Sequence, residues 1–158
     1  MSKVNRMSWI LIALLSWVFF GCGPPPECSQ FFALNLEQRH RDFRSYPIDK
    51  QLDVYLCAIK VEPPDESFAN DIADRGTEAI PFVVAKLKSA KSEVEQESLI
   101  HVLEVLSDRG YLRNRKDVVA EISNVIDSMR ISQIRESSLE SLKKIQINSG
   151  IKPFTYVR

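Results

Sequence analysis

The stretch from Gly76 to Leu106 constrains this chain most. Its first half reads Gly76-Thr77-Glu78-Ala79-Ile80-Pro81-Phe82-Val83-Val84-Ala85-Lys86-Leu87, and after a short polar break the second runs from Ser92 to Leu106. Ile80, Val83, Val84 and Leu87 fall on one side of a helix, as do Leu99, Val102, Leu103 and Leu106. Pro81 lies in the first turn, where its missing N–H breaks no bond. Ser92-Glu93-Val94-Glu95 is a capping box: Ser92 accepts from the backbone and Glu95 reaches back. The product is a helix, a turn and a second helix. Two such helices cannot bury their apolar sides alone, so neighbouring helices must cover them.

The flanking sequence supplies those neighbours. Ser45 is placed to cap a helix with Pro47 in its first turn and Ile48, Leu52, Tyr55, Leu56 and Ile59 on its face. Pro63 and Pro64 end it. Asp65 then caps a short helix carrying Phe68, Ile72 and Ala73, and Gly76 sits just past its end. Beyond the central pair, Gly110 closes the second helix. Asn114 or Asp117 opens a third pair, whose first helix bears Val118, Val119, Ile122, Val125, Ile126 and Met129. The last helix bears Ile134, Leu139, Leu142 and Ile145. The tail from Ile151 to Arg158 is expected to be extended and to dock Phe154 and Tyr156 on the last helices. Before all these, Glu37 to Arg44 reads as a charged helix across the first pair. Its Arg39, His40, Arg41 and Arg44 make a solvated face or touch anionic headgroups.

A repeat runs through this pattern. Val83-Val84-Ala85-Lys86-Leu87 matches Val118-Val119-Ala120-Glu121-Ile122 at a shift of about 35. Ile48 and Leu52 match Val83 and Leu87 at the same shift, and Leu103 and Leu106 match Leu139 and Leu142 one residue further. A period in the thirties on helix pairs predicts an all-α fold, a short α-solenoid of about three antiparallel pairs. Gly76-x-x-Ala79-Ile80-Pro81, then Leu87, a polar turn and Glu93-Val94, resembles a HEAT-type repeat over residues 76–106. That resemblance implies stacked helix pairs and, by analogy alone, a binding or scaffolding role.

The N-terminus reads as an address. Lys3 and Arg6 precede an almost wholly apolar run from Ile10 to Phe20, then Gly21-Cys22-Gly23 and Pro24 to Pro26. Pro24 stops any helix there. Phe19-Phe20-Gly21-Cys22 resembles the lipobox of bacterial lipoproteins. That resemblance implies cleavage after Gly21 and acylation of Cys22. Gly23 in place of Asp implies an outer membrane where the host has one. An uncleaved anchor or simple secretion are the alternatives. With Lys3 and Arg6 inside, each of these readings puts the body outside the cytoplasm. The expected domains are a signal peptide over 1–21, a Pro-rich tether over 22–30 and a helical repeat domain over 31–158.

Removal of residues 1–21 leaves 137 of the 158 residues, enough for one core. It also leaves 19 basic against 21 acidic residues, a net charge of −2, which gives no basic field for nucleic acid. With Cys22 acylated, Cys28 and Cys57 remain. In an oxidising compartment they can pair. Otherwise Cys57 is a small buried residue and Cys28 a free thiol.

The sequence shows no nucleophile–base pairing, no Gly-rich phosphate loop and no paired-Cys metal motif. His101 lies with Glu97 and Glu104 on one side of its helix, a spacing that could hold a metal. That side points away from Leu99 and Leu103, so with Asp108 it reads as a solvated acidic stripe. No cofactor and no metal are expected. Arg109, Arg113, Arg115 and Lys116, with Tyr111 among them, form the candidate partner-binding edge, since Arg and Tyr are favoured at binding hot spots. A charged turn with Tyr111 and Leu112 tucked inward is the plainer reading. The chain as a whole reads as a lipid-anchored, extracytoplasmic, non-enzymatic module that binds an unidentified protein. An enzyme or ligand-binding protein with a site between helices, or a structural envelope component, are the alternatives.

Overall fold

The computed structural model describes residues 28–61 and 64–152. The signal segment, Cys22, Pro63 and the tail aromatics Phe154 and Tyr156 lie outside the described residues. Within them the protein is all-helical, with eight α-helices and no strand. These are α1 (Ser29–Phe32), α2 (Leu36–Ser45), α3 (Ile48–Ala58), α4 (Phe68–Ala73), α5 (Ala79–Ser89), α6 (Glu93–Asp108), α7 (Lys116–Ser128) and α8 (Ser132–Asn148). A turn of 3-10 helix, Gly76–Glu78, leads into α5. Among the described residues no helix is long and apolar enough to cross a membrane.

The hub is α6. It packs against α4, α5 and α8. Leu99, Ile100, Val102, Leu103 and Leu106 are all fully buried. Its side chains are therefore covered around most of the circumference, as expected for a helix with neighbours on several sides. Its start is the expected one: Ser92 Oγ accepts from Glu95 N–H at 3.3 Å. Glu95 reaches back one residue further than expected, to Lys91 N–H at 2.8 Å, and also pairs with Lys60. Its end is a Schellman turn. Tyr111 N–H donates to Leu106 C=O, Gly110 N–H donates to Ser107 C=O, and Gly110 takes φ +81°. The end of α8 repeats this with Ile151 to Gln146, Gly150 to Ile147 and φ +71° at Gly150.

The remaining contacts follow one rule. First helices touch first helices, α3 with α5 and α5 with α7, while second helices touch second helices, α4 with α6 and α6 with α8. Within pairs, α3 meets α4, α5 meets α6 and α7 meets α8. The expected apolar faces are buried at Ile48, Leu52, Tyr55, Ile80, Val83, Leu87, Val118, Val119, Ile122 and Ile126. Val84, Ile134 and Leu139 are only partly covered.

Several boundaries differ from the sequence reading. Ser45 ends α2 rather than opening α3, and Pro47 takes the N-cap place of α3. Asn35 caps α2 instead, accepting from Gln38 N–H at 2.9 Å. Asp65 stands two residues before the N-cap of α4, Ser67, and accepts from Ser67 N–H at 3.1 Å. Asn114 does not open α7; it adopts φ +62°, donates its N–H to Ser149 C=O, and leaves the N-cap place to Arg115. Each miss has one cause. Ser, Asn and Asp close turns and end helices as readily as they begin them. The folded body also begins earlier than the expected boundary at residue 31. Cys28 is already buried, as N-cap of α1.

Candidate functional site

The expected partner-binding edge is divided by the fold. Arg109 turns back and donates to Asp74 and Asn70 at the end of α4. Tyr111 is 37% exposed and lies against Gly76, whose φ is +62°. A methyl group at Gly76 would come within 3.3 Å of that ring, so the turn and the tyrosine fit one another. Leu112 is fully buried. Arg115 grips Asp117 through Nε and Nη2, and that bond holds the Asp117 carboxyl down at about 2. Arg113 and Lys116 stay exposed. The edge thus offers Arg113 and Lys116 beside a partly exposed tyrosine ring, with Arg109 turned back onto α4.

The presumed solvated acidic stripe needs correction. Glu104 is only 8% exposed, because α8 lies across that side of α6. It accepts from Ser141 Oγ at 2.5 Å and from Lys144 Nζ at 2.7 Å. Burial pushes the Glu104 carboxyl up. The bonds from Lys144 and Ser141 outweigh it, and the group ends below its ordinary value. Asn148 donates to Asp108 and to Ser107 on the same seam. Among the described residues no group of three or more His, Cys, Asp or Glu is placed to hold a metal.

Cys28 and Cys57 form a disulfide, with Cα atoms 6.4 Å apart. It fastens α1 to α3 and lines a groove of about 650 Å³ together with Lys50, Asp53, Lys60, Lys86, Lys91 and Glu95. Two ion pairs line it, Lys86 with Asp53 and Lys60 with Glu95 at 2.9 Å, which sets four lysines against two carboxylates.

The tightest polar constellation lies where α2 crosses α4. It involves residues that the sequence reading left unpaired. His40 on α2 hydrogen-bonds through Nδ1 to the buried carboxylate of Asp71 on α4. Arg44 Nε stands 3.7 Å from the other oxygen of Asp71. The His40 ring lies against Phe68, with centroids 4.7 Å apart and a 32° tilt. Its Nε2 is 3.3 Å from Ser67 Oγ, at the exposed N-cap of α4. Ser67 Oγ also donates to Asp65 Oδ1 at 2.5 Å. The fold thus brings Ser67, His40 and Asp71 within hydrogen-bond reach of one another, although they lie apart in the linear sequence. The one available signal was Ser67 and Asp71 at i and i+4, one turn apart on a helix.

Comparison with protein-family models, with curated protein sequences and with solved structures returns no match.

Proposed function

We propose that this chain is a lipid-anchored, extracytoplasmic helical-repeat module whose three helix pairs, α3–α4, α5–α6 and α7–α8, form a short α-solenoid that binds another protein. One observation carries the architectural part. Polar ties between helices recur at similar separations along the chain. Lys86 reaches Asp53, Lys88 reaches Glu121 and Arg109 reaches Asp74, across 33 to 35 residues. Glu93 accepts from the backbone of Arg130 and Ile131, and Glu104 accepts from Ser141, across 37 or 38. Ties from each pair to the next at near-constant separation support a stack in which neighbouring pairs touch.

The anchor rests on the lipobox-like Phe19-Phe20-Gly21-Cys22. Several acyl chains at Cys22 would hold the body at a membrane surface, at roughly 0.8 kcal/mol per buried CH₂. The binding role rests on the exposed Arg113 and Lys116 beside Tyr111. Fatty-acid labelling of cells that express the chain or its Cys22→Ala variant tests the anchor. Label in the first and none in the second is the expected result, and an unlabelled wild type sinks it. Cross-linking in membranes tests the binding role. A partner captured by wild type and lost with Arg113→Glu and Lys116→Glu supports it, while capture that both variants leave unchanged removes the edge from consideration.

A further inference from the structure

We propose that Ser67 is a nucleophile activated by His40 and oriented by Asp71, and that it takes acyl groups from small carboxylic esters. The geometry brings together a hydroxyl, an imidazole and a carboxylate in the order that such chemistry uses. An ionised carboxylate only accepts, so the His40 Nδ1 that faces Asp71 carries the ring proton. The neutral ring then presents a lone pair at Nε2, 3.3 Å from Ser67 Oγ. Asp71 and the Phe68 ring fix the imidazole on two sides. Arg44 Nε, 3.7 Å from the other oxygen of Asp71, adds a second cationic neighbour on the side away from His40. Ser67 itself is exposed, so an ester can reach it from solvent.

The steps balance with water alone. Ser67 Oγ bonds to the ester carbonyl carbon as its proton passes to His40 Nε2, and the carbonyl electron pair moves to oxygen. Collapse breaks the bond to the alcohol oxygen, which leaves with the proton from Nε2. Water then attacks the acyl-Ser67 carbonyl, giving a proton to Nε2. The carboxylic acid departs, and Ser67 Oγ takes that proton back.

Asp65 makes the proposal sharp. Ser67 has one hydroxyl proton and two acceptors, and the nearer is Asp65 Oδ1 at 2.5 Å. The proton must swing from Asp65 to His40 before Ser67 can react, so Asp65 holds the site in check. If instead Ser67 only caps α4 and His40–Asp71 only ties two helices, none of these residues governs reactivity.

The test is phosphonylation of the full chain in detergent micelles by a fluorophosphonate probe, with the adduct located by mass spectrometry and helicity checked by circular dichroism. Wild type should carry the adduct on Ser67, and Ser67→Ala should lose it. His40→Gln should slow labelling by about a hundredfold, the usual scale for losing a general base. Asp65→Ala should speed labelling severalfold, because it removes the competing acceptor. That variant sits in a partly exposed loop and remains informative should His40→Gln fail to fold. No adduct at Ser67 in the wild type overturns the proposal. So does a folded His40→Gln that labels at the wild-type rate, or an Asp65→Ala that labels more slowly.

Discussion

Glu104 shows what one side chain does at the seam between α6 and α8. Buried on α6, it gathers Ser141 and Lys144 from α8. Its carboxyl lies below the ordinary value in the folded chain, so the unfolded chain binds the proton more readily. The stabilisation is therefore complete above the ordinary carboxylate range near pH 4.3 and is lost as pH falls through the lower folded value. Glu104→Gln should cost about 1 kcal/mol at pH 7. Lys144 is 61% exposed, and screening keeps the figure below that of a fully buried pair. Thermal melts at pH 7 and at pH 3 check this: the gap between wild type and variant should shrink at the lower pH. Residues of this kind were hard to read from sequence. Glu104 looked solvated because the rule used was opposition to Leu99 and Leu103, which holds for a helix with one covered side. The constellation of Ser67, His40 and Asp71 was harder still. His40 stands 27 residues from Ser67 and 31 from Asp71, and only the crossing of α2 over α4 joins them.

At the scale of elements, strong periodicity proved readable and chain punctuation did not. The faces of α5, α6 and α7 followed from spacing, and the Ser92 cap and the Gly110 stop from residue type, because tertiary packing reinforced each local preference. Helix α1 had no such signature. Four residues show no period, and its place is set by what Phe31 meets: Phe43 at 6.4 Å, Phe68 at 5.6 Å and Tyr46 at 6.3 Å between ring centroids. The disulfide adds a covalent tie from Cys28 to Cys57 on α3, across 29 residues. A loop of that length contributes about 3 kcal/mol on the chain-entropy account. Replacing both cysteines by Ser should lower stability by about that much. In the variant, the amides of α1 should exchange with solvent before those of α3. Hydrogen exchange read by mass spectrometry checks both, and equal protection of α1 in the two chains would assign its docking to Phe31 alone.

Across the whole molecule, stability is held between helices more than within them. Helix α6 is covered by α4 and α5 on the side of earlier sequence and by α8 on the other. Helix α7 is held by α5 and α8. Glu93 clamps the start of α8 by accepting from Arg130 N–H and Ile131 N–H, both at 2.8 Å. Removing α8 therefore strips two helices at once. It leaves Glu104 without Ser141 and Lys144, and it uncovers apolar surface worth about 25 cal/mol for each Å² exposed. Where a terminal helix covers two others, its loss is felt beyond its own boundary. A chain ended after Arg130 should thus lose far more helix than the 17 residues of α8 that it lacks. Its thermal transition at 222 nm should broaden or vanish, where the full chain should melt in one step. A truncated chain that kept a sharp transition within a few degrees of the full one would show that α1 to α7 already form a complete unit, with α8 an appendage upon it.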